Sequence, residues 1–205
     1  SDLAGSWMQR YNLHVVDYAD PTVPTVRRPV SIPGQLRGVG SDGTLIHTVS
    51  THFDPVRWTY ESVESLDVSV YDGLEAHFLD GIRLPSTWPH PVLIQKDAVL
   101  VGRASADGGS DVIETWRVSG AGRIERAGSF ALKAPAQSFG LRGSLLAVRT
   151  ADSLLLLNAA SPPTLIMLGG SRVSSCIGFD LQMADGAMDR GLWVPLGDYG
   201  VVQRS

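Results

Sequence analysis

Apolar and polar positions alternate along this chain in short runs, and helical spacing is almost absent. Runs of about four to eight residues, closed by Gly, Asp, Pro, Ser or Asn, predict short β-strands joined by turns. Asn12–Asp17 (NLHVVD) is rich in β-branched residues and stops at Asp-Tyr-Ala-Asp-Pro. Leu66–Tyr71 (LDVSVY) stops at Asp72-Gly73, Val112–Val118 (VIETWRV) at Ser119-Gly120, and Leu154–Leu157 at Asn158. Each run ends on a short polar side chain suited to bonding the backbone of the following turn.

The runs also recur in a fixed order. Each strand above is followed by a second: Thr25–Ile32, Ala76–Leu84, Arg123–Leu132 and Thr164–Gly169. A third follows: Leu36–Gly40, Pro91–Gln95, Ser138–Leu141 and Ser175–Phe179. A fourth begins at Thr44, Val99, Leu145 and Leu192, after tight turns such as Ser41-Asp42-Gly43, Lys96-Asp97 and Arg142-Gly143. Those starts lie roughly 50 positions apart, the period of a four-stranded propeller blade. The pattern predicts an all-β fold, a β-propeller of about four blade repeats. A β-sandwich, which also has many short strands, is the alternative.

On this reading residues 1–205 are a single propeller domain or a propeller fragment. Outer strands occupy 12–32, blades 35–84, 90–132 and 137–169, and C-terminal strands 173–203. Two assemblies satisfy the count: a small closed ring, or an arc of a larger propeller completed by other polypeptide. Val201–Gln203 reads as a further strand competing with Asn12–Asp17 for one edge, which favours the arc. Open edges at its ends would template pairing with a partner.

The first unit carries the most specific pattern. Asn12–Val39 reads NLHVVDYADPTVPTVRRPVSIPGQLRGV. Its Leu13, Val15, Val16 and Asp17 lead to Asp20, Pro21 and Pro24, then Pro33-Gly34 and Gly38-Val39. This segment resembles the LVIVD-type propeller repeat of bacterial and archaeal secreted proteins. Leu192–Val202 (LWVPLGDYGVV) is similar to the strand–turn–strand preceding such a motif. The middle units keep the strand order without the Asp-Pro signature. The resemblance implies a propeller on an extracytoplasmic protein (periplasmic, cell-surface or secreted), and it implies no catalytic residues.

Composition narrows the function classes. With 43% hydrophobic and 19% charged residues, the chain is built to fold. A net charge of −4 argues against a nucleic-acid partner, which would normally meet a basic face. No apolar run approaches the roughly 18 residues of a membrane span. Ser1–Arg10 shows no basic start followed by an apolar stretch, so no signal peptide is read there. Cys176 is the single cysteine, which excludes an internal disulfide and a Cys-based zinc site. It stands in an apolar run without a basic neighbour to activate the thiol.

The candidate binding residues are His52, Asp54, Arg57, Trp58 and Tyr60 in the long 51–65 segment, with Trp88 and His90 in the 86–90 segment. Blade connectivity places both segments at one face, where aromatic rings beside Arg and His suit a glycan, a peptide or a protein. The competing reading packs Trp58, Tyr60 and Trp88 between blades. His47, His52, Asp54 and His90 lack the spacing of a zinc motif. Asp180, Asp185 and Asp189 are weak calcium candidates in an acidic loop without EF-hand spacing. No Gly-x-Ser-x-Gly elbow precedes a helix, and Ala106-Asp107-Gly108-Gly109-Ser110 joins strands as a hairpin turn. No cofactor is expected. Two functions remain: a non-enzymatic module binding a protein, a glycan or further propeller blades, or a domain of a larger enzyme whose catalytic residues lie outside this chain or in the central channel.

Overall fold

The computed structural model describes residues 10–52, 63–84, 91–105, 110–161, 164–172, 192–195 and 201–204. Every regular element among them is a β-strand, and every pairing between strands is antiparallel. The chain divides into two compact units, Ser1–Leu84 with Ser119–Ile124, and Pro85–Val118 with Glu125–Ser205.

In the first unit β1 (Tyr11–Leu13), β2 (Val16–Asp17), β3 (Thr25–Val26) and β4 (Val30–Ile32) form a ribbon. β1 pairs with β4 and β2 with β3, while the Arg27 N–H donates to the Val15 carbonyl between them. The Asp-Pro signature lies in the connection between β2 and β3. There Asp20 accepts bonds from the Thr22 N–H at 2.9 Å and its hydroxyl at 2.6 Å. β5 (Gln35–Val39), β6 (Leu45–His52), β7 (Val63–Tyr71) and β8 (Ala76–Arg83) form a four-stranded sheet in chain order. β5 carries an irregularity between Leu36 and Gly38, and β7 one between Val68 and Ser69.

Gly34, which leads into β5, has a physical reason to be glycine. A Cβ there would stand 2.5 Å from the Val49 carbonyl carbon and 2.7 Å from the Ser50 Cα, nearer still to the Val49 oxygen. These are backbone atoms of β6, so no rotamer change makes room. The buried apolar set of this unit includes Val30, Ile32, Leu45, Ile46, Leu66, Val68 and Leu84.

In the second unit β9 (Val92–Gln95), β10 (Ala98–Arg103), β11 (Asp111–Val118) and β12 (Ile124–Leu132) form one meandering sheet. β13 (Ser138–Arg142), β14 (Leu145–Arg149), β15 (Ser153–Ser161) and β16 (Thr164–Arg172) form the next. One face of each sheet meets in a shared core of Leu100, Ile113, Leu132, Ala136, Leu146, Val148, Leu157, Ala159 and Leu165. Period-two alternation makes this possible: Leu100 and Ile113 face the core, while Val101 and Glu114 face away. β17 (Leu192–Pro195) and β18 (Val201–Arg204) form a separate two-stranded hairpin.

Three antiparallel four-stranded sheets in chain order span Gln35–Arg83, Val92–Leu132 and Ser138–Arg172. The expected turn chemistry is present too. Asp17 accepts from the Ala19 N–H, Asp72 from the Leu74 N–H, Asn158 from the Ala160 N–H, and the Ser119 hydroxyl from the Arg123 N–H. The strand expected over Ser175–Phe179 lies outside the described residues. The further strand expected at Val201–Gln203 lies within β18, which pairs with Leu192–Pro195.

Candidate functional site

Two hairpin turns of the second unit border a cleft of about 590 Å³. One turn is Lys96-Asp97 between β9 and β10, where Gln95 pairs with Ala98 across two residues. The other is Gly143-Ser144, where Arg142 pairs with Leu145. Two-residue hairpin turns favour φ > 0, which glycine supplies at Gly143 and lysine must adopt at Lys96, with φ of 52°. Lys96 is the one non-glycine residue with positive φ among the described residues. Such a backbone costs of order 1–3 kcal/mol and persists where surrounding structure holds it.

Arg117, Val118, Ala159 and Ala160 complete the lining together with Ala98. The Gln95 Nε2 donates to the Gly143 carbonyl at 3.2 Å, tying the two turns across the cleft. The Asp97 carbonyl accepts from the Val118 N–H, and the Ser144 carbonyl from the Ala159 N–H, so each turn is fixed to a neighbouring strand. The cleft thus offers small residues and backbone as floor, and Lys96, Asp97 and Arg117 as charged rim. Its volume falls within the roughly 300–1,000 Å³ typical of ligand pockets.

A second polar group occupies the opposite face of the β9–β12 sheet. Glu114 of β11 is buried, and its two oxygens each meet a guanidinium: Oε2 lies 3.1 Å from Arg103 Nη2 and Oε1 3.3 Å from Arg126 Nη2. The Glu114 side chain is 8% exposed, against 42% for Arg103 and 52% for Arg126. The Arg103 Nε is buried and has no hydrogen-bond partner.

The first unit buries polar groups within its four-stranded sheet. Asp67 of β7 accepts the Ser65 hydroxyl at 2.8 Å and the Ser50 hydroxyl at 2.5 Å, and the two hydroxyls are 2.9 Å apart. Register explains the grouping: Ser50 faces Ser65 across β6 and β7, and Asp67 faces Gly81 of β8. His47 is fully buried, one position out of phase with this cluster and opposite Val68. At the surface, Asp17 meets Arg27 at 2.9 Å. That bond, with the Ala19 N–H, holds the Asp17 carboxyl below its ordinary range. The N–H groups of Glu75 and Leu74, with His77 beside them, do the same for Asp72.

None of the sequence-derived binding residues has a described side chain. His52 closes β6, paired with Val63, and its side chain lies outside the described residues. Asp54, Arg57, Trp58, Tyr60, Trp88 and His90 also lie outside them, as do Cys176, Asp180, Asp185 and Asp189. Among the described residues no group of three His, Cys, Asp or Glu side chains is placed to hold a metal. Among the described residues no helix is long and apolar enough to cross a membrane.

Sequence reading passed over both groups in the second unit. For the cleft, the missed signal is a lysine at the first position of a two-residue turn. For the Glu114 group, it is a carboxylate between Val112 and Trp116 on one face of an alternating strand. Against known proteins, no family model matches the chain and no curated protein is significantly similar to it.

Proposed function

We propose that this chain is a non-enzymatic β-propeller binding module of an extracytoplasmic bacterial protein that engages a protein or glycan partner. The three consecutive four-stranded meanders support reading each sheet as a blade. The β1–β4 ribbon and the β17–β18 hairpin then supply the remaining strands, either of a small closed ring or of the two ends of an arc completed by other polypeptide. The LVIVD-like segment Asn12–Val39 supports the same reading, because its Pro33-Gly34 step coincides with the close approach of Gly34 to β6.

The observation that carries the binding role is the cleft between the Lys96-Asp97 and Gly143-Ser144 turns. Charges of both signs stand at its rim, on turns fixed to a rigid sheet, and binding residues concentrate on such loops. Trp58, Tyr60 and Trp88 are further candidate binding residues in this reading.

The test is a screen of the full chain against a glycan array and a peptide library, repeated with Lys96→Glu and Arg117→Glu. A ligand that loses tenfold or more in affinity with both variants, at an unchanged thermal midpoint, supports the cleft. A ligand bound equally by wild type and both variants refutes it. Trp58→Ala is the matching probe of the aromatic candidates: weaker retention at unchanged thermal stability supports recognition, whereas a large loss of stability supports packing.

A further inference from the structure

We propose that Arg103 and Arg126, held by Glu114, form a recognition site for a sulfate, phosphate or carboxylate group. This site lies on the opposite face of the β9–β12 sheet from the cleft, and it stands independently of the cleft's role.

The charge balance comes first. Two guanidiniums share one carboxylate, so the group keeps one surplus positive charge on a chain whose net charge is −4. The burial gradient comes second. Glu114 is the buried anchor, and the two cations stand half in solvent around it. Neither is left to sample its full rotamer space, so an incoming anion meets donors already partly ordered, which lowers the entropy cost of binding.

Donor accounting comes third. Each guanidinium has five N–H donors, and each makes a single contact with Glu114, through Nη2. The Arg103 Nε is buried without a partner. That atom is closed to solvent, so the donors open to an incoming anion are the remaining Nη groups of the two half-exposed guanidiniums. The planar fork of arginine matches carboxylate, phosphate and sulfate oxygens two at a time. Two such forks converging on one buried carboxylate select an anionic group over a neutral one.

The same chemistry has two sources, a free inorganic anion and an anionic substituent on a glycan, and one experiment separates them. The full chain, labelled with ¹⁵N, is titrated at constant ionic strength with sodium sulfate, sodium phosphate and a sulfated oligosaccharide. The Nε–Hε resonances of the arginines are followed. Saturable shifts at Arg103 and Arg126, weakened tenfold or more by Arg126→Gln, are expected. Affinity for the oligosaccharide at least tenfold above that for sulfate assigns the site to a glycan-borne group; equal affinities assign it to the free anion.

Arg126→Lys keeps the charge and removes the fork, and it guards against a folding defect in the glutamine variant. It is expected to weaken binding threefold or more. The absence of saturable shifts with all three probes overturns the proposal, as does binding unchanged in both Arg126 variants.

Discussion

Replacing Gly34 by alanine tests the link between the Pro33-Gly34 step and the first sheet. The added Cβ would lie 2.5 Å from the Val49 carbonyl carbon and 2.7 Å from the Ser50 Cα, where ordinary contact begins at 3.4 Å. The overlap is therefore roughly 0.7–0.9 Å on two backbone atoms, and overpacking of this kind costs about 1–3 kcal/mol. The obstructing atoms belong to a strand paired on both sides, to β5 and to β7, which places the cost toward the upper end. Alanine also restricts the unfolded chain, which offsets about 0.4–1 kcal/mol. The net expectation is a loss of about 2 kcal/mol, or roughly thirtyfold in the local opening equilibrium.

Hydrogen exchange at the amides of Gln35–Val39 and Leu45–Val49 reads that change in the sheet where it arises. It needs no assumption that the whole chain unfolds in one step. Gly169→Ala is the control: no atom lies within 4 Å of a Cβ there, and its φ is not in the left-handed range. That substitution is expected to change stability by less than about 0.5 kcal/mol. Equal protection in the two variants would refute the steric account of Gly34.

Three further outcomes follow from other parts of the fold. Leu157→Ala, at a fully buried core position between the two sheets of the second unit, is expected to cost about 2–5 kcal/mol by denaturant titration; a loss below 1 kcal/mol would mean the two sheets are not packed on each other there. Asp67→Ala removes the acceptor shared by the Ser50 and Ser65 hydroxyls and is expected to cost about 3 kcal/mol, read as lost exchange protection in β6 and β7. A variant as protected as wild type would discount these bonds. Asp17, Asp20, Asp42, Asp72 and Asp152 all titrate below the unfolded value of 3.8. Their contribution is present above pH 3.8 and is lost as pH falls through their lower folded values, so Asp17→Asn with Asp72→Asn should flatten the acid limb of the urea midpoint; an unchanged limb would refute it.

The strand plan was legible because its signals are local. An alternating run ending in Asp, Asn or Ser specifies both a strand and its stop, as Asp17, Asp72, Ser119 and Asn158 show. Grouping into sheets was legible because short turns allow little but neighbouring antiparallel pairs, as at Lys96-Asp97 and Gly143-Ser144. Chain ends are harder. Pattern alone sets Val201–Gln203 against Asn12–Asp17 for one edge, whereas the described partner of Val201–Arg204 is its hairpin neighbour Leu192–Pro195.

The site was less legible, because chemistry depends on what meets across strands. Aromatic and histidine residues in long loops draw attention, whereas Lys96 and Gly143 come together only once two sheets are packed side by side. Arg103, Glu114 and Arg126 sit on three successive strands with the outer two 23 positions apart, and no short motif spans that distance. The clue was the exception to the pattern, a carboxylate where alternation calls for an apolar residue.

That exception also weighs on what the Glu114 group is for. Burying a carboxylate removes it from water, and the attraction of two half-exposed arginines returns only part of that cost. Well-packed apolar replacements of a buried ion group are often neutral or stabilising. Stability is thus a weak reason for Glu114 to stand on a face whose neighbours Val99 and Val101 are buried and apolar. Positioning two guanidiniums for a third party is a stronger one, because it needs both a buried anchor and exposed forks. The two explanations separate in one comparison. If the group serves stability, Glu114→Leu should lower the thermal midpoint by several degrees; if it positions the arginines, that variant should stay near the wild-type midpoint and lose ordered anion binding.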